Sequence, residues 1–217
     1  MADFDFNVLG NFSNKVGNVV GFQWKGMQVV RGYKAKVANP NTDAQRLVRN
    51  KFTLLSNLAK QFRSTLLNGM KPLANSRKST IYGEFVRLNK SAVTGNLQSL
   101  TVDYASLVVA RGGATPVVFG DPGFSTPLTV SVPVNEANLT VAGAHSDDLI
   151  FIAAYCPDMH TALCTTGMQR EDAQSSTIQL RVPNQWQGLR VYVYGFVVDK
   201  QNGVSSDTTS LGYGDIA

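Results

Sequence analysis

The sequence predicts an α+β fold: an N-terminal β-hairpin and long amphipathic helix, followed by a C-terminal β-sandwich of immunoglobulin or fibronectin type III character. Three observations carry this. Apolar residues alternate on both sides of a Lys25-Gly26 pair, a helical period runs from Asp43 to about Leu67, and period two returns from Leu97 onward. The expected division is residues 1–98 for the hairpin-helix basic module and 99–217 for the β-sandwich.

In residues 16–33, Val20, Phe22 and Trp24 alternate with Gly21 and Gln23, and Met27 and Val29 flank Gln28. An X-Gly pair between such runs is a tight-turn signal, because glycine takes positive φ without a Cβ clash. Trp24 is expected opposite Met27 and Phe22 opposite Val29, as stabilising cross-strand pairs. A lone hairpin is marginal, so the helix from Asp43, the nearest apolar surface, is its expected support.

That helix lies in NPNTDAQRLVRNKFTLLSNLAKQFRSTLLNGM, residues 39–70. The residue before Pro40 is pushed out of helical backbone, and Thr42 and Gln45 have capping-box spacing. Ala44, Leu47, Val48, Phe52, Leu54, Leu55, Leu58, Ala59, Phe62 and Leu66 share one arc at 100° per residue. Arg46, Arg49, Lys60 and Arg63 share the next arc, and Asn68-Gly69 supplies a stop. Lys51 falls inside the apolar arc, between Leu47, Leu55 and Leu58. A buried lysine is costly unless it is paired or can snorkel, so a carboxylate (Asp3 or Asp5) or another subunit is expected against it.

Beyond Gly69, Pro72 and residues 76–79 read as a basic loop, and a second helix is expected over 80–92. Strands are expected at 100–104, 107–110, 128–134, 149–155, 177–182 and 189–198, with turn residues between them. The last hairpin is expected to run through 191–198, a loop at 199–203, and 204–211.

Charge is unevenly spread. Residues 1–95 hold 15 Lys and Arg against 4 Asp and Glu, a balance of +11, whereas residues 96–217 hold 5 against 11, a balance of −6. Such asymmetry suggests an anionic partner for the first half, or two complementary faces of one assembly. Two cysteines, Cys156 and Cys164, are too few for a disulfide scaffold, although a bridge across a hairpin is conceivable in an oxidising medium. The start lacks a basic n-region and a continuous apolar stretch, so synthesis in the cytoplasm without a signal peptide is expected. No run reaches the roughly 18–20 apolar residues of a membrane span.

The sequence carries no recognisable catalytic constellation. Gly10 to Gly26 offers glycines but no G-x-x-x-x-G-K-[ST] frame that would cradle phosphates. His145, Asp147, Asp148, Cys156, His160 and Cys164 match no common zinc spacing, and neither cysteine nor any serine sits in a G-x-S-x-G turn. No metal, cofactor or small-molecule substrate is therefore expected, and no enzyme activity.

Three pieces in fixed order, GNFSNKVGNVVGFQWKGMQVVR, NPNTDAQRLVRNKF and SAVTG…LTVDYASLVVARG, resemble an uncharacterised domain-of-unknown-function family abundant in Bacteroidetes-type bacteria and mobile elements. The W-K-G turn followed by N-P-x-T-x-A-Q is specific in combination; Ala110 stands where that family has a small hydroxyl residue. The resemblance implies no activity.

The expected function is a non-enzymatic structural or assembly protein, of the kind that forms part of a virion or phage particle. Its basic module would contact neighbouring subunits or nucleic acid through Arg46, Arg49, Lys60 and Arg63, with Trp24 and Lys51 as packing or interface residues. The alternative is a stand-alone nucleic-acid-binding protein.

Overall fold

The computed structural model describes residues 13–36 and 39–217, together with the backbone of Ala2–Asp3. It is a mixed α and β structure with several antiparallel sheets, in two compact units, Met1–Thr42 and Asp43–Ala217.

The first unit is one sheet. β1 (Ala2–Asp3), β2 (Asn14–Val16), β3 (Val19–Trp24) and β4 (Met27–Gly32) lie in the order β1-β4-β3-β2, all antiparallel. Trp24 pairs with Met27 and Phe22 with Val29, the register the alternation predicts. Lys25 and Gly26 have φ of 45° and 79°, and two successive positive values are what a type I′ turn needs to match strand twist. Asp5 and the side chain of Asp3, expected as partners for Lys51, lie outside the described residues.

The second unit begins with α1 (Asp43–Gln61), α2 (Arg63–Gly69), α3 (Lys71–Ser76) and α4 (Ile81–Asn89). The single helix expected over 43–67 is thus interrupted at Phe62. Its i→i−4 bonds nevertheless continue, with Phe62 N–H on Leu58 O at 3.2 Å and Leu66 N–H on Phe62 O at 2.9 Å. Gly69 is not the stop that the sequence suggests, because Met70 N–H still bonds Leu66 O and α3 follows at once. Pro72 sits in the first turn of α3, where a missing N–H leaves no bond unmade, so the expected basic loop begins only beyond Ser76. What requires glycine at 69 is proximity: a Cβ there would lie 2.5 Å from Val109 O. Thr80 caps α4 by accepting from Gly83 N–H at 3.0 Å.

A small hairpin of β5 (Val93–Gly95) and β6 (Leu100–Val102) follows. Residues 107–110, expected as a strand, are extended but join no ladder. They are nonetheless buried: Leu107 is 2% exposed, and Val109 and Ala110 not at all. Buried backbone must be satisfied somewhere, and here side chains do it. Asn89 accepts from Val108 N–H (2.7 Å) and donates to Val108 O (2.9 Å), while Thr208 Oγ1 accepts from Val109 and Ala110 N–H at 2.9 and 2.7 Å.

The remaining strands are β7 (Val118–Phe119), β8 (Thr129–Glu136), β9 (Leu149–Cys156), β10 (Thr161–Cys164), β11 (Met168–Gln169), β12 (Thr177–Arg181), β13 (Arg190–Asp199), β14 (Val204–Ser205) and β15 (Thr209–Asp215). A short helix, α5 (Arg170–Ala173), joins β11 to β12. One sheet runs β10-β9-β13-β14, with β11 also on β9 and β15 also on β13; a second runs β12-β8-β7.

The centre of the unit is the β9–β13 pair, whose two faces are both covered. Ile150, Ile152, Ala154 and Cys156, with Val191, Val193 and Val197, share a core with Val130, Val132 and Val134 of β8 and Ile178 and Leu180 of β12. The opposite face offers Phe151, Tyr155, Tyr194 and Phe196 to Leu55, Leu58, Phe62, Leu66 and Phe85 of the helices. Strands buried on both faces lose polar alternation, which is why LIFIAAYC is apolar throughout. Phe62 joins the layers, with ring centroids 4.8 Å from Tyr155 and 5.9 Å from Tyr194.

Helices and sheet share this core, and the compact units divide at Thr42. The two covered faces of the sheet remove the conceivable disulfide. Cys164 pairs with Ala153, on the helix-facing side of the sheet, whereas Cys156 points into the opposite core, and both thiols are free.

Candidate functional site

Arg46, Arg49 and Lys60 are exposed on α1, and Arg63 is exposed at the start of α2. The near-continuous helix keeps the four on one side, along a strip of about 25 Å at 1.5 Å per residue. Both acids that the sequence places near this strip are engaged. Asp43 meets Arg46 at 3.4 Å on the exposed surface, and Glu84, only 3% exposed, is held by Arg87 at 2.7 Å.

Beside it, the apolar arc behaves in two ways. From Leu55 onward it is buried, with Leu58, Ala59, Phe62 and Leu66 all in the core. Its N-terminal half is not: Val48 is 67% exposed and Phe52 59%, and they are one turn apart. Lys51 is half-buried at the edge of this region, so no deeply buried charge needs explaining. Trp24 is 42% exposed on β3 of the first unit. Periodicity alone cannot tell a covered stretch of apolar arc from an open one, and it gave no sign of this change at Leu55.

An open groove of about 450 Å³ runs along α1, lined by Leu54, Asn57, Leu58, Gln61, Tyr155 and His160 among others. Tyr155 donates its hydroxyl to Gln61 Oε1 at 2.8 Å, and burial, with Tyr104 and Cys156 alongside, pushes its pKa far up. Tyr104, at 5.4 Å ring to ring, is pushed up for the same reason, first by burial and then by Tyr192 and Asp158. At neutral pH this groove offers neutral phenols for hydrogen bonding and stacking.

A second cluster lies where β9 and β13 meet at one end. His145 Nδ1 is 3.8 Å from Asp148 Oδ1 and 3.8 Å from Asp199 Oδ1. Of the six residues the sequence put forward for a metal, the structure brings only His145 and Asp148 together in this cluster. Cys156 and Cys164 face opposite cores, and His160 lies by the α1 groove. Asp199 escaped the sequence reading because it is distant in the chain; pairing of Val198 with Leu149 delivers it.

Arg170 fixes this corner. It is fully buried and donates through Nε to Asp148 Oδ2 at 3.1 Å and through an amino group to Ala137 O at 2.6 Å. For Asp199, burial raises the pKa, but it is outweighed by hydrogen bonds from the Asn202 N–H, the Asn202 amide and the Gln201 N–H, and by His145; the net shift is downward.

A helical layer bearing an exposed basic strip, laid on an antiparallel sheet with a second sheet behind it, defines the class: a mixed α and β domain with a charged helical face. The chain belongs to a family of unknown function (DUF6266), which matches residues 11–211. No curated protein and no solved structure matches it. Among the described residues no helix is long and apolar enough to cross a membrane.

Proposed function

We propose that this chain is a non-enzymatic structural subunit that assembles with further copies of itself, as in a virion or phage particle. In this reading the two sheets that share a core are the halves of an immunoglobulin-like sandwich, and α1 is the contact element. The observation that carries it is the open N-terminal half of α1, with Val48 and Phe52 exposed next to Arg46 and Arg49. An exposed apolar pair with a basic flank fits a partner that is apolar at its centre and acidic at its rim. The acid-rich second half of another copy supplies such a rim, since residues 96–217 carry a balance of −6.

The test is sedimentation of wild type beside a variant with Arg46, Arg49, Lys60 and Arg63 all replaced by Gln. Exposed pairs contribute about 0–1 kcal/mol each, so losing four should weaken self-association by about 10–100-fold with the fold intact. Unchanged assembly by the variant would remove the strip from the account. Binding of a polyanion with a steep salt dependence, without self-association, would favour the nucleic-acid reading instead.

A further inference from the structure

We propose that His145, Asp148 and Asp199 form a binding site for one divalent transition-metal ion of the zinc class. Their donor atoms all lie within 4.8 Å of one another. Two of them point to a missing ligand. His145 Nδ1 and Asp148 Oδ1 are both buried without a hydrogen-bond partner, and the Asp148 side chain has no exposure at all. Buried polar atoms are nearly always satisfied, and a carboxylate oxygen left bare beside a second carboxylate is the costliest kind of exception.

The surroundings hold the carboxylates as an outer shell holds metal ligands. Asp148 is anchored through its other oxygen, Oδ2, which accepts from Arg170 Nε at 3.1 Å and from the His145 backbone N–H at 3.0 Å. Asp199 Oδ1 accepts from the N–H groups of Gln201 and Asn202 at 2.9 and 2.8 Å, and Oδ2 from the Asn202 amide at 2.7 Å. Three of its roughly four acceptor positions are filled, and the one left is on Oδ2. Arg170 neutralises one carboxylate, so the second negative charge and the imidazole nitrogen remain for a cation.

Geometry and donor type select the metal. Ligand bonds of about 2.0–2.2 Å in a tetrahedron put donors about 3.4 Å apart, so the 3.8 Å from His145 Nδ1 to Asp148 Oδ1 needs only a slight contraction, within a set whose donors all lie within 4.8 Å of one another. Calcium and magnesium favour oxygen-only shells of six or more ligands, which an imidazole at the centre of the set disfavours. Three protein donors leave the fourth tetrahedral position to a water, as in open zinc sites.

The full-length protein, stripped with a chelator, is titrated with Zn²⁺ by calorimetry and with Co²⁺ by visible absorption. One ion should bind per chain, and the unfolding temperature should rise. His145→Ala should weaken binding at least tenfold, the usual effect of losing a ligand or its support. His160→Ala, which removes the other histidine, should change nothing. Asp199→Asn gives a second reading if His145→Ala folds poorly. Equal Zn²⁺ affinity in wild type and His145→Ala, or no stoichiometric binding, would overturn the proposal. So would metal-independent stabilisation on acidification that disappears in His145→Ala, because an imidazolium between the two carboxylates would then fill the gap.

Discussion

Arg170 is the side chain whose removal should be felt most. It is fully buried, pairs with a carboxylate that is also fully buried, and donates to Ala137 O and Thr115 O from two further positions. Arg170→Met keeps much of the volume but strips Asp148 of its counter-charge and leaves two carbonyls without donors. Removing one partner of a buried pair costs about 3–5 kcal/mol, mostly because the other charge stays buried and uncompensated. For a chain of this size that is a fall of about 6–20 °C in unfolding temperature. Urea denaturation with linear extrapolation is the assay, with Arg170→Met, Asp148→Leu and the double variant completing a cycle. The double variant should recover part of the loss, since it buries no lone charge. A loss below about 1 kcal/mol for Arg170→Met would show that Asp148 is relieved some other way, and the reasoning would fail.

Three further outcomes follow from burial and register. Burial raises the Cys164 thiol to about 11, against a smaller lowering by Thr65, so at pH 8 its thiolate fraction is roughly 200-fold below that of a free cysteine and thiol reagents should label the native protein very slowly. Alkaline titration followed by phenolate absorbance should show Tyr104, Tyr155 and Tyr194 ionising after the exposed tyrosines, and Tyr194→Phe, which frees the Tyr104 carbonyl that its hydroxyl reaches at 2.6 Å, should cost about 1 kcal/mol. Because the Asp199 pKa is lowered in the folded protein, its stabilising contribution is complete above the unfolded carboxyl value of about 3.9 and is lost as pH falls through the folded value; in acid titrations Asp199→Asn should show a shallower loss of stability than wild type.

How much of this was legible depended on whether the determinant was local. The hairpin at Lys25-Gly26 follows from alternation and one permissive residue, and its register is the one expected. The strands β8, β9, β12 and β13 are visible as β-branched and aromatic runs, and so is the helical period of α1. Residues 107–110 misled because burial selects the same apolar residues whether the backbone bonds go to a neighbouring strand or to Asn89 and Thr208. Gly69 reads as a stop, yet its demand comes from Val109, forty residues on. Of the acidic cluster, His145 and Asp148 share a turn, but Asp199 joins them only through the β9–β13 register, which no spacing rule encodes. The open half of α1 was hidden for a similar reason, since a helical wheel cannot show where its cover ends.

The most direct test of assembly through α1 is the molar mass of the full chain by light scattering, across a wide concentration series at low and at high ionic strength. Self-association through a basic strip and an acidic rim predicts a mass well above one chain at low salt. That mass should fall toward a single chain as the Debye length shrinks from about 10 Å to about 3 Å between 0.1 and 1 M salt. A mass of one chain at every concentration and salt would contradict the account.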